Sequence, residues 1–168
     1  KYLDFSNCKR LQYATVQLRN LGKMKMKGSN GLRSLDLETY YPEDSTIRKV
    51  DVSRMRDLVF LNLSGSKISQ LSVKNNKKLE VLNVHGTNLK KLNLSVNKKL
   101  QTLDVGSTKI KKLDLSANKK IRELDVSHTK IRTLNLSANK KIREFRCGNN
   151  RITKMFSLPN PERVELLD

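Results

Sequence analysis

The sequence predicts a β-rich solenoid: short parallel strands stacked along one axis, with little or no helix. Three observations predict it. Aliphatic residues recur at a step of 21 residues through most of the 168-residue chain. They come as pairs spaced L-x-L, so each pair sends two side chains to one face of a short extended segment. Asn, Ser, Thr and Gly collect between the pairs, where short polar side chains bond to turning backbone. Inward positions two, three and five residues apart do not hold the 3.6-residue period of a helix.

In chain order the pattern begins weakly. Leu3 and Phe5 step to Met24 and Met26, and Ala14 and Val16 step to Leu35 and Leu37. The next step, from Met24 to Val50, is 26 residues. About five extra residues are therefore inserted near 38–46. The regular array follows. One half of each unit carries Val50, Leu71, Leu92, Leu113, Leu134 and Met155, with Val52, Val73, Leu94, Leu115 and Leu136 two residues on. The other half carries Leu61, Leu82, Leu103, Leu124 and Phe145, followed by Leu63, Val84, Val105, Val126 and Cys147. Two more aliphatic columns separate the halves, at Leu58, Leu79, Leu100, Ile121 and Ile142, and at Ile47, Ile68, Leu89, Ile110, Ile131 and Ile152. Asn76, Asn97, Asn118, Asn139 and Asn160 form one polar ladder, and Ser66, Thr87, Thr108, Thr129 and Asn150 another. No unit can bury its apolar side alone, whereas a stack shares one continuous core. Residues 1–168 thus read as a single domain of about seven repeats.

The quoted unit LEVLNVHGTNLKKLNLSVNKK, Leu79 to Lys99, resembles the 21-residue bacterial leucine-rich repeat of the IRREKO type and is similar to the repeats of internalin-like surface proteins. The resemblance implies a right-handed leucine-rich repeat solenoid with a parallel concave sheet and short strands or turns on the convex side. It implies a secreted or cell-surface bacterial protein that binds other macromolecules. Internalin-like repeats often carry a cysteine ladder at the second inward position of the concave strand. Here only Cys147 occupies that column. The half containing Leu82 and Val84 matches the longer motif segment and is assigned the concave strand.

That assignment names the candidate partner-binding residues. Phe60, Val81, Glu123 and Glu144 share one outward column, Asn83, Asp104 and Asp125 the next, and His85 a third. Tyr40 and Tyr41, on the insertion, suit an interaction hot spot.

Positive charge lies elsewhere. The chain carries 35 Lys+Arg against 16 Asp+Glu, a formal charge of +19 that favours polyanions. Lys77-Lys78, Lys98-Lys99, Lys119-Lys120 and Lys140-Lys141 recur after the Asn ladder. Stacking at about 4.8 Å turns them into a ridge that fits an anionic glycan or wall polymer. No aromatics interleave with these lysines, so single-stranded nucleic acid is not the expected ligand.

Catalytic chemistry is not expected. His85 and His128 fall two repeats apart, about 10 Å by strand spacing, too far to share a metal. No nucleophile motif or phosphate-cradling Gly-rich loop occurs. The reading is therefore a non-enzymatic protein-interaction or adhesion module without cofactor or metal. It meets a protein or an anionic glycan on a cell surface or matrix; the alternatives are the lysine ridge and a rigid spacer. No stretch reaches the roughly 18 apolar residues of a membrane span. The two cysteines, Cys8 and Cys147, are too far apart along the stack to bridge.

Overall fold

The computed structural model describes residues 2–17, 23–39, 45–157 and 165–167. No helix occurs among them. One half of the repeats supplies β2 (Tyr13–Thr15), β4 (Ser34–Asp36), β5 (Phe60–Asn62), β6 (Val81–Asn83), β7 (Thr102–Asp104), β8 (Glu123–Asp125), β10 (Glu144–Arg146) and β12 (Glu165–Leu167). These eight form one parallel sheet. The other half supplies β1 (Tyr2–Asp4) paired with β3 (Lys23–Lys25), and β9 (Thr133–Asn135) paired with β11 (Lys154–Phe156). The sheet is thus continuous in the half that the motif assigned to it.

Register follows the period. Leu61, Leu82, Leu103, Leu124 and Phe145 pair in sequence across β5, β6, β7, β8 and β10. The pairing of Leu35 with Leu61 absorbs the 26-residue step without slipping. A one-residue slip would turn every inward aliphatic to solvent, which is why the core fixes the register.

The two halves of a unit are not equivalent. Both carry L-x-L pairs, yet Leu71–Val73, Leu92–Leu94 and Leu113–Leu115 form no strand. A ladder needs backbones about 4.8 Å apart. The central coils therefore pair as strands on the sheet side and not on the back.

Between the halves runs one thin core. Leu58, Leu79, Leu100 and Ile121 are fully or almost fully buried, as are Ile68, Leu89, Ile110 and Ile131. Two polar ladders run beside it. Asn97, Asn118 and Asn139 are completely buried, and each Nδ2 donates to two carbonyls of earlier residues. Ser66, Thr87 and Thr108 each donate a hydroxyl to the carbonyl three residues back. At the end of that column Asn150 takes over, reaching back to Val126 O at 2.6 Å. Compact turns need these bonds, because buried carbonyls without partners are costly.

Candidate functional site

The sheet exposes three outward columns. In the first, Asp36, Asn62, Asn83, Asp104 and Asp125 each turn Oδ1 back to accept the backbone N–H two residues on. These are Asx turns, and they close the bend after each strand. The same device recurs on the back, where Asp51, Asn93, Asp114 and Asn135 accept from the following serine N–H groups. Asn83, Asp104 and Asp125 therefore have a structural task in addition to the proposed contact with a partner.

The second column has no such task. Tyr13, Ser34, Phe60, Val81, Thr102, Glu123 and Glu144 lie side by side in register on adjacent strands. Its apolar members, Tyr13, Phe60 and Val81, lie towards one end, and Tyr13 is 66% exposed. Glu123 and Glu144 lie towards the other end, both exposed. Thr102 donates its hydroxyl to Glu123 at 3.2 Å, and Glu144 pairs with Arg146 at 3.4 Å.

Where the two charge regimes meet, the third column brings His85 beside two carboxylates. His85 Nδ1 lies 3.2 Å from Asp104 Oδ1. Gly106 makes room for them. A Cβ there would lie 2.8 Å from His85 Nδ1 and 3.1 Å from Oδ1 of both Asp104 and Asp125. The hydrogen bond from Asp104 holds the His85 pKa above its ordinary value; partial burial opposes this, and the charges of Asp104 and Asp125 reinforce it. The result is a small acidic notch with a protonatable rim. No group of three or more metal-ligating side chains gathers among the described residues.

His128, the other histidine, is placed by the backbone. Gly65, Gly86, Ser107, His128 and Asn149 form one column with φ between 52° and 69°. This left-handed conformation suits Gly, and Asn and His tolerate it better than most residues. His128 is exposed and contacts Asn149 through Nε2 at 3.3 Å.

All eight ridge lysines are exposed on the turns after the Asn ladder. Lys78 is neutralised by Asp57 of the preceding coil at 2.5 Å. In later coils the position of Asp57 is itself lysine, as Lys99, Lys120 and Lys141. Tyr40 and Tyr41 lie outside the described residues. Neither Cys8 nor Cys147 forms a disulfide.

None of the protein-family models or curated proteins searched matches the chain. Solved structures do. The fold is similar to the functional domain of InlJ from Listeria monocytogenes, which includes a cysteine ladder, with a TM-score of 0.77 and 25% identity over 94% of this chain and 36% of that one. It is similar to the internalin InlF of Listeria monocytogenes strain 4b F2365, with a TM-score of 0.68 and 14% identity over 97% of this chain and 58% of that one. It also matches the LRIM1/APL1C complex at a TM-score of 0.75 and 17% identity, covering 93% of this chain and 30% of that one. These neighbours make the fold a leucine-rich repeat solenoid. The chain spans between a third and three-fifths of the length of the two internalins. With two cysteines in all, it builds no cysteine ladder.

Proposed function

We propose that the chain is a protein-interaction module of a bacterial cell-surface or secreted protein, acting without catalysis and meeting its partner on the sheet face. One observation carries this reading: the outward column that runs from Tyr13, Phe60 and Val81 to Glu123 and Glu144 is free of the turn bonds that fix its neighbour. Apolar side chains held rigidly on adjacent strands supply contact area at small entropic cost. The acidic end and the His85 notch supply register and discrimination. The matching partner is a protein with an apolar patch beside a basic one. The internalin likeness supports the bacterial surface setting. An anionic glycan on the lysine ridge is the competing reading; it is supported by the exposure of all eight lysines and predicts strong salt dependence.

Attachment of the labelled chain to cells or matrix separates the readings. Changing Phe60→Ser with Val81→Ser is expected to weaken attachment about tenfold or more, the scale of losing one hot spot, and the binding survives high salt. Changing Lys98, Lys99, Lys119 and Lys120 to Glu is expected to leave it within about twofold. If the lysine change abolishes attachment and the apolar change does not, the ridge reading replaces this one. If neither matters, the solenoid acts as a spacer.

A further inference from the structure

The back of the central coils holds a feature that neither the sheet face nor the ridge uses. Leu92–Leu94 and Leu113–Leu115 form no strand, and β9 pairs onward with β11 rather than back to Leu113–Leu115. A groove of about 1380 Å³ runs across these segments. Beneath it Leu92 is half-buried, and Leu94 and Leu113 lie buried in the core. Its walls carry Lys111, Lys112, Lys130, Arg132 and Arg151, from three successive return connections. All five are exposed.

Most of this charge is left unpaired. None of the five makes an ion pair with a carboxylate of the described residues. One carboxylate lines the groove, Asp114. Its Oδ1 accepts the Ser116 N–H at 2.9 Å, and bonds from the Ser116 backbone and hydroxyl hold its pKa below the usual carboxylate value. It is committed to its own turn. Like charges on neighbouring coils repel, and salt screens them fully only beyond about 10 Å. A cleft with low-dielectric walls focuses their field outward. The ridge differs on both counts: its lysines sit on outward turns, and Lys78 already has Asp57.

We propose that this groove binds a linear polyanion whose charges are sulfate or phosphate esters on a carbohydrate or polyol chain. The five cations match closely spaced ester groups. Asn93, Thr133 and Asn149, also at the groove, offer partners for hydroxyl groups. No aromatic residue lines it, so it lacks the stacking platforms on which single-stranded bases are held. This site is independent of the sheet-face reading and lies on the opposite side of the coil.

The test titrates the whole chain with three probes at about 0.15 M salt: a heparin dodecasaccharide, a poly(glycerol phosphate) and oligo-dT. The triple change Lys111→Gln, Lys130→Gln and Arg132→Gln is compared with Lys77→Gln, Lys98→Gln and Lys119→Gln on the ridge, which removes the same charge. Both sets are exposed, and a thermal melt verifies folding. Counterion release makes about a tenfold or larger loss the expected result for the groove variant, with a shallower salt slope, against less than about twofold for the ridge variant. The tighter of the first two probes identifies the ester. Equal losses from both variants would reduce the effect to net charge and overturn the proposal. So would tighter binding of oligo-dT, a larger loss from the ridge variant, or no binding of either ester polymer. Phe60→Ser with Val81→Ser is expected to leave these titrations unchanged, which separates this site from the sheet face.

Discussion

Replacing Asn118 by alanine tests whether the buried ladder, rather than the leucines alone, holds adjacent coils together. Asn118 Nδ2 donates to Leu94 O at 3.1 Å and to Asn97 O at 2.9 Å. Neither carbonyl depends on it entirely. Leu94 O also accepts the Asn97 N–H, and Asn97 O also accepts the Leu100 N–H. The substitution therefore removes one of two partners from each acceptor, and about 1 kcal/mol per bond gives a loss near 2 kcal/mol. The Oδ1 of Asn118 is buried without a partner, so deleting it returns part of that loss. The small void left behind removes a similar amount again. For a chain of this length, ~2 kcal/mol lowers Tm by about 4–8 °C.

Aspartate at the same position sharpens the test. It puts an oxygen where an amide donated, facing two carbonyl oxygens in a site with no solvent exposure. A buried unpaired carboxylate shifts its pKa upward and stays neutral while the chain is folded. The unfolded chain releases that proton above about pH 4, so the destabilisation grows as pH rises from there. At neutral pH the loss is expected to exceed that of alanine by about 2 kcal/mol or more. Urea unfolding followed by fluorescence and by circular dichroism measures both variants. An alanine loss under about 0.5 kcal/mol, or an aspartate no worse than alanine, would refute the donor role assigned to this amide.

Two other sites give direct readings. Gly65 and Gly86 share the left-handed column, but a Cβ at Gly65 would lie 2.2 Å from Thr39 O, whereas at Gly86 nothing comes nearer than 3.8 Å. Gly86→Ala is expected to cost about 1 kcal/mol and Gly65→Ala distinctly more in thermal melts; equal costs would show that the clash with Thr39 is relieved freely. For His85, NMR titration is expected to show a pKa above 6.5 that falls on Asp104→Asn, which keeps an acceptor for the Gly106 N–H but removes the charge. Because the folded pKa is the raised one, the stability from this contact is complete below about pH 6.5 and is lost as pH climbs through the folded value. Gly106→Ala is expected to lower the His85 pKa as well, since the new methyl displaces the ring from Asp104. An unchanged titration in both variants would dismiss the notch.

The fold was legible because the period fixes it. Each aliphatic column of the regular array, read at 21-residue steps, is buried or packed against the core. The register of every strand pair from β5 to β10 agrees with those steps. The difference between the two halves came from the resemblance and was not legible in the alternation itself. Leu92 and Leu94 alternate as well as Leu82 and Val84 do, and only the spacing of the coils decides which pair builds a ladder. The groove was hidden for the same reason. Its cations come from three coils, and the sequence shows them as turn lysines like any others. The structural use of Asp104 and Asp125 left a signal that composition alone obscures: Asp or Asn followed two residues later by Ser recurs in both halves, at Asp51, Asn93, Asp114, Asp125 and Asn135. A residue pattern shared by two different faces reports a turn rather than a ligand.

That distinction divides the candidate binding residues. One outward column is bonded into its turns, and the column beside it is not. The Asx column stays Asp or Asn from Asp36 to Asp125 because its Oδ1 closes the bend. The column beside it runs Tyr13, Ser34, Phe60, Val81, Thr102, Glu123 and Glu144, with no two neighbours alike until the last pair. Both columns lie on the sheet face at the same spacing. A position without an internal bond is free to take whatever residue an outside partner selects. The gradient from aromatic to acidic along that one column is what the proposed sheet-face contact rests on. The basic residues at the groove come from successive coils and suit a ligand that itself repeats.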